Sequence, residues 1–115
     1  MAMALSFIDT YLPSITLMIH HIVLLKFKPE TTQDEIRRTK EILAALPSQI
    51  PSISGFIGGS TVPNSLAHGF HEGVIFVFEN EDALNLYRPH KAHTDYQQTT
   101  APWITDKLIF DIEVK

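Results

Sequence analysis

The chain has 115 residues, the usual size of one domain rather than two. Its 9 Lys and Arg stand against 13 Asp and Glu, a formal net charge of −4, so it has no basic excess with which to neutralise nucleic-acid phosphates. It contains no cysteine, which excludes disulfides, zinc–thiolate sites and thiol nucleophiles. We therefore expect no nucleic-acid partner.

The first 18 residues are mostly apolar, but they lack the pattern of a secretory signal. No Lys or Arg precedes Lys26, Asp9 interrupts the apolar run, and Pro13 follows it. The run is also shorter than the roughly 20 residues that a membrane-spanning helix needs. We expect residues 1–18 to be an N-terminal extension and residues 19–115 to form the domain. The expected location is cytoplasmic, with no membrane partner.

The first predicted elements are a strand and a helix. Residues 19–27 (IHHIVLLKF) are β-branched and apolar on both faces, so we expect a strand that is covered on both sides. Thr32 and Glu35 have the spacing of a capping box, and apolar residues follow at helical spacing. The helix is expected to end near Leu46 because Pro47 cannot continue it.

The order of the remaining elements predicts the fold class. They are a glycine-rich strand over 53–62, a strand over 72–79, a helix capped by Asn80 and ended by Pro89, a helical segment over 90–98 and a last strand over 108–114. The order β-α-β-β-α-β predicts a ferredoxin-like α+β fold. Both helices should then lie on one face of a four-stranded antiparallel sheet.

The other face of that sheet is also predicted to be apolar. We assign to it Val23, Leu25, Ile57, Val74, Phe76 and Ile109. A face of this size is more apolar than monomers leave open to water. A second copy that packs sheet to sheet across a two-fold axis would cover it, so we expect a homodimer with an eight-stranded barrel.

Three stretches together resemble the stress-responsive dimeric α+β barrel family. They are residues 20–28 (HHIVLLKFK), 87–93 (YRPHKAH) and 108–111 (LIFD). The family motif is roughly Tyr-x-x-His-Pro-x-His, followed by an apolar strand that ends in Asp, and the similarity covers residues 19–114. Lys91 stands where the family usually has Pro, which bears on the position of His90 more than on that of His93.

The resemblance implies a homodimer with a cavity between sheet and helices for a small apolar or aromatic ligand, and no cofactor. Many members are stress-associated proteins without a known activity, and a minority are cofactor-free enzymes. These include the plant polyketide cyclase that makes olivetolic acid, and a hydroxynitrile lyase. The tyrosine and the last histidine on which the cyclase depends match Tyr87 and His93, and a first-strand histidine of its pocket matches His21.

The chemistry of an aldol cyclisation suits these residues. A proton must leave a carbon beside a carbonyl, and neutral imidazole is the usual base because its pKa lies near working pH. A tyrosine hydroxyl can orient the imidazole or bind the enolate oxygen. We predict His93 as general base, Tyr87 as its catalytic partner and His21 as a polar wall residue. The predicted substrate-binding lining is Val23, Leu25, Ile57, Val74, Phe76 and Ile109.

Two other functions stay open, namely a non-catalytic stress-responsive barrel and a cofactor-free monooxygenase of the same fold. His93 could instead bond a backbone carbonyl, and Tyr87 and His21 could be core residues. An open cavity where Tyr87 and His93 converge would favour the enzyme, and a cavity filled by phenylalanines would favour the non-catalytic barrel. His68 and His71 have a spacing that is compatible with metal binding. Only one carboxylate, that of Glu72, accompanies them, so no metal site is predicted.

Overall fold

The elements follow the predicted order, with the second helix divided in two. The computed structural model describes residues 18–114. It contains β1 (Met18–Phe27), α1 (Gln33–Gln49), β2 (Gly55–Ser60), β3 (Glu72–Phe78), α2 (Glu81–Tyr87), α3 (Lys91–Thr100), a 3-10 turn (Ala101–Trp103) and β4 (Ile104–Val114). The strands form one antiparallel sheet in the order β2-β3-β1-β4. The predicted ferredoxin-like α+β fold is confirmed.

The predicted N-terminal extension lies outside the described residues, apart from Met18, which pairs with Val114 at the end of β1. Among the helices of residues 18–114, none has the length and apolar character needed to cross a membrane.

α1 begins as predicted but ends three residues later than predicted. The Thr32 hydroxyl accepts from the Glu35 N–H at 3.1 Å, and the Glu35 carboxylate accepts from the Thr32 N–H at 2.9 Å. The expected end near Leu46 is wrong, because Pro47 lies inside the last turn. Only one intrahelical bond is lost there, and the Ile50 N–H still bonds the Leu46 carbonyl at 2.9 Å.

A break at Pro89 separates α2 from α3, and side chains cap both helices. Asn80 Oδ1 accepts from the Ala83 N–H at 2.9 Å at the start of α2. His90 Nδ1 accepts from the Ala92 N–H at 3.1 Å at the start of α3. His90 is therefore a helix cap.

The helices cover the face of the sheet that we expected to be open. Cross-strand pairing puts five of the six assigned residues under the helices: Val23, Leu25, Val74, Phe76 and Ile109. The assignment is wrong for these five because alternation along a strand defines two sets of residues without saying which set the helices cover. Ile57 alone lies on the opposite face, paired with Ile75.

The opposite face is apolar, and no helix among residues 18–114 covers it. We call it the open face and define it by Ile22, Leu24, Ile57, Ile75, Leu108, Phe110 and Ile112. Ile57 is 65% exposed and Phe110 is 57% exposed. A Cβ atom added at Gly59, on the same face, would meet nothing within 4 Å. The space beside Gly59 thus lies on the open face.

Candidate active site

Tyr87, the last residue of α2, lies in the middle of an aromatic cluster. Its ring centroid is 5.2 Å from that of Phe78, 5.7 Å from Phe76, 5.5 Å from His21 and 4.2 Å from His93. Phe76 and Phe78 are fully buried beneath it. Burial raises the pKa of Tyr87 well above its ordinary value of 10.0, so its hydroxyl stays protonated near neutral pH. Tyr87 is therefore suited to donate a hydrogen bond rather than to accept a proton.

His93, in the first turn of α3, has the form of a neutral base. Its Nδ1 lies 2.8 Å from the Arg88 carbonyl oxygen, which can only accept, so Nδ1 carries the proton. The lone pair is then on Nε2, and no group in residues 18–114 hydrogen-bonds that atom. Burial lowers the pKa of His93 below 6.5, and the nearby His21 and Lys107 lower it further, although the bond to Arg88 opposes the shift.

His21 is held by a carboxylate on the neighbouring strand. The register pairs His21 of β1 with Asp111 of β4, and His21 Nδ1 donates to Asp111 Oδ1 at 2.5 Å. The second carboxylate oxygen, Oδ2, lies 3.8 Å from Arg88 Nη2. Since Nδ1 is engaged, Nε2 is the nitrogen that His21 can offer to a ligand.

These side chains line one cavity of about 290 Å³ between the sheet and the helices. Its volume is at the lower end of the range of small-molecule pockets, about 300 to 1,000 Å³. The polar part of the wall comprises His21, Tyr87, Arg88, His93, Tyr96, Gln97, Lys107 and Asp111. The apolar part comprises Val23, Leu43 and Ile109. The cavity can therefore take a small apolar body with a few polar groups.

The predicted site residues do not all lie together. Five of them line this cavity: His21, Val23, Tyr87, His93 and Ile109. Leu25 and Val74 border a second space of about 270 Å³, which also contacts Leu43. Phe76 is a core residue below Tyr87, and Ile57 lies on the open face, so neither contacts the cavity. Phe76 shares the face of His21 but packs against the Tyr87 ring, whereas the register of β2 places Ile57 on the opposite face.

Five polar residues of the wall were not predicted as site residues. They are Arg88, Tyr96, Gln97, Lys107 and Asp111. Lys107 and Asp111 share a face of β4 with Ile109, so the period of two along that strand is a signal that could have found them. Across residues 18–114, no cluster of three or more His, Asp or Glu side chains is arranged to hold a metal ion.

Comparison with known proteins identifies relatives over nearly the whole described chain. The model of the Stress responsive A/B Barrel Domain family matches residues 19–114. The stress-response A/B barrel domain-containing protein At5g22580 of Arabidopsis thaliana is 29% identical over 96 residues, which are 82% of this chain and 84% of that protein.

Two solved structures illustrate the similarity in fold. A dimeric protein of unknown function and ferredoxin-like fold from Bacteroides fragilis has a TM-score of 0.72 and 24% identity, and the match covers 84% of this chain and 96% of that one. The hydroxynitrile lyase from Passiflora edulis has a TM-score of 0.77 and 15% identity, with 87% and 95% covered. At sequence identities this low, the similarity shows a shared fold only.

Proposed function

The chain belongs to the stress-responsive A/B barrel domain family, and we propose that it is a cofactor-free cyclase or lyase that makes or breaks a carbon–carbon bond by histidine-based proton abstraction. The observation that supports this most is the pairing of His93 and Tyr87. Their ring centroids are 4.2 Å apart at the wall of an unfilled cavity. His93 brings an Nε2 lone pair that no group of residues 18–114 occupies, and Tyr87 brings a protonated hydroxyl.

In the cyclase form of the proposal, the reaction is an intramolecular aldol addition. His93 Nε2 removes a proton from a carbon beside a carbonyl, and the C–H electron pair forms the enolate. Tyr87 donates a hydrogen bond to the enolate oxygen, where the negative charge develops. The carbon then attacks a second carbonyl of the same molecule, and the His93 imidazolium returns the proton to the new alkoxide. No electrons are gained or lost, so the step needs no redox cofactor.

His21 is proposed to place the substrate rather than to take the proton. Its Nδ1–H is committed to Asp111, which fixes the orientation of the ring. Its edge faces the Tyr87 ring at 5.5 Å between centroids. A substrate oxygen bound near Tyr87 would therefore lie within reach of His21.

The non-catalytic barrel is the second candidate, and one observation favours it. His93 Nδ1 bonds a backbone carbonyl, as a purely structural histidine would. That bond uses only one of the two ring nitrogens, however, and the buried phenylalanines Phe76 and Phe78 do not fill the cavity. We therefore prefer the enzyme. The hydroxynitrile lyase with this fold supports assigning lyase chemistry to such a scaffold.

Turnover assays on two substrate classes test the proposal. Purified protein is incubated with a linear β-polyketide thioester, followed by mass spectrometry, and with an aromatic cyanohydrin, followed by release of the aldehyde. We expect turnover of one of them, at least a hundredfold lower in His93→Ala. His71→Ala, an exposed histidine outside this cavity, is the matched control. Turnover that survives in His93→Ala, or none by the unaltered protein on either substrate, would contradict the enzyme proposal.

We also propose that a second copy covers the open face, so that two sheets form an eight-stranded barrel. An apolar surface of this extent is unusual for a monomer, and the similar Bacteroides fragilis protein is dimeric. Light scattering after gel filtration should give twice the mass of one chain. Phe110→Asp should reduce it to one chain, whereas Leu86→Asp, at an exposed leucine of α2, should not. A dimer that tolerates Phe110→Asp would contradict this arrangement.

A further inference from the structure

Lys107 brings a positive charge to the cavity wall, and no counter-ion for it lies among residues 18–114. It lies on β4, on the same face as Ile109 and Asp111, and lines the cavity. Among the described residues, no carboxylate oxygen is within 4.0 Å of its ammonium group. The ammonium lies 5.5 Å from the centroid of the Tyr96 ring. Burial lowers the pKa of Lys107 below 10.5, as expected for a charge that is partly removed from water without compensation.

The carboxylate of the cavity cannot serve as that counter-ion. Asp111 Oδ1 accepts from His21 Nδ1 at 2.5 Å, and Oδ2 faces Arg88 Nη2 at 3.8 Å. Arg88 and Asp111 therefore offset each other. Apart from the two histidines, the charged side chains of the wall therefore sum to one positive charge, that of Lys107.

The Tyr96 side chain lines the same wall and carries a second donor that has no partner among the described residues. It is 3% exposed, and its buried hydroxyl has no hydrogen-bond partner in residues 18–114. The nearby Thr100 hydroxyl donates instead to the Tyr96 backbone carbonyl, at 2.9 Å. Burial raises the pKa of Tyr96 to about 12 although the nearby Thr100 side chain opposes the shift, so the hydroxyl keeps its proton. Buried polar groups nearly always have a partner, which points to a group that is supplied by a ligand.

We propose that the cavity binds a carboxylic acid, and that Lys107 is the residue that selects its carboxylate, with Tyr96 as a second donor. The inference rests on the proposed function, because it narrows the substrate or product class of the same cavity. One unpaired positive charge matches one carboxylate. The apolar body of the acid would lie against Val23, Leu43 and Ile109, and the small volume limits it to about the size of a substituted aromatic ring.

Two probes that differ only in the carboxylate test the inference. They are 2,4-dihydroxybenzoate and resorcinol, whose binding is measured by titration calorimetry and by NMR shifts of the histidine rings. The unaltered protein should bind the acid about tenfold more tightly, or better, than resorcinol. Lys107→Met should remove this difference, and Lys107→Arg should keep most of it. Lys91→Met, at an exposed lysine outside the cavity, is the matched control.

The outcomes separate this inference from the enzyme proposal. Equal affinity for the two probes, undiminished binding of the acid by Lys107→Met, or no saturable binding of either probe would overturn the inference, while turnover assays on His93→Ala judge the enzyme proposal by themselves. Lys107-dependent binding of the acid without His93-dependent turnover would support the inference and overturn the enzyme. A second measurement distinguishes the loss of the Lys107 charge from misfolding of the variant. The pKa of His93 should rise in Lys107→Met and stay unchanged in Lys107→Arg.

Discussion

His21 and Asp111 are 90 residues apart in sequence but face each other across β1 and β4, with Nδ1 and Oδ1 separated by 2.5 Å. The histidine is buried and the carboxylate is also close to Arg88. The contact therefore ties the first strand to the last one at the wall of the cavity. It also holds the ring whose edge faces Tyr87.

Removing this carboxylate should destabilise the protein. Asp111→Ala leaves the buried Nδ1–H of His21 without an acceptor, and we expect a loss of about 1 to 3 kcal/mol in the free energy of unfolding. Chemical denaturation measures it. Glu113→Ala, an exposed carboxylate on the same strand, should change the free energy by less than about 0.5 kcal/mol. Equal effects of the two substitutions would show that the contact contributes nothing.

The proposed turnover should depend on the protonation of His93. Because the neutral ring is the base, the rate should rise with pH and level off above an inflection that lies below 6.5. The direction follows from burial, which disfavours the charged imidazolium. Rate profiles from pH 4.5 to 8 measure the inflection. A rate that falls over this range would mean that the protonated ring is the active form.

Tyr96→Phe should stabilise the unliganded protein at neutral pH and weaken binding of 2,4-dihydroxybenzoate. The substitution removes a buried hydroxyl that has no partner in the described structure. The free energy of unfolding should rise by about 1 kcal/mol or more, which is the cost of burying such a group. Thermal unfolding and calorimetry measure the two effects. A destabilised variant with unchanged binding would show that the hydroxyl has an internal partner.

The same tyrosine should make stability fall at alkaline pH. Its pKa is 10.0 in the unfolded chain and about 12 in the folded one, so the folded state retains the proton longer. This contribution is complete below pH 10 and is lost as pH rises to 12, by up to about 1.4 kcal/mol per pH unit. Unfolding free energies between pH 9 and 11 should fall less steeply in Tyr96→Phe. Equal slopes for both proteins would contradict the buried, neutral phenol.

Leu43→Ala should join the two spaces beside α1. Leu43 contacts both the cavity of about 290 Å³ and the second space of about 270 Å³, and its side chain is buried. Removing it should cost about 2 to 5 kcal/mol of unfolding free energy. Leu86→Ala, at a leucine that is 66% exposed, should cost less than about 0.5 kcal/mol. Similar losses in both variants would mean that the Leu43 side chain is not packed between the two spaces.

Local sequence patterns were enough to predict the order of the elements and their capped starts. The alternation in β1 and β3, the capping box at Thr32 and Glu35, and the cap at Asn80 involve residues within one strand or one turn. The similarity to the family motif singled out Tyr87 and His93, which the structure brings to one cavity. Their catalytic roles stay predictions.

The side of the sheet that the helices cover, and the polar neighbours of His21 and His93, were decided only by the tertiary structure. Both faces of β1 are apolar, so alternation separates two sets of residues but assigns neither to the interior. The meeting of His21 with Asp111, and the position of Lys107 in the cavity wall, depend on a strand register that joins the two ends of the domain. A register of that kind is set by the sum of packing and backbone hydrogen bonds along β1 and β4. No short stretch of sequence determines it, because the two strands lie at opposite ends of the domain's sequence.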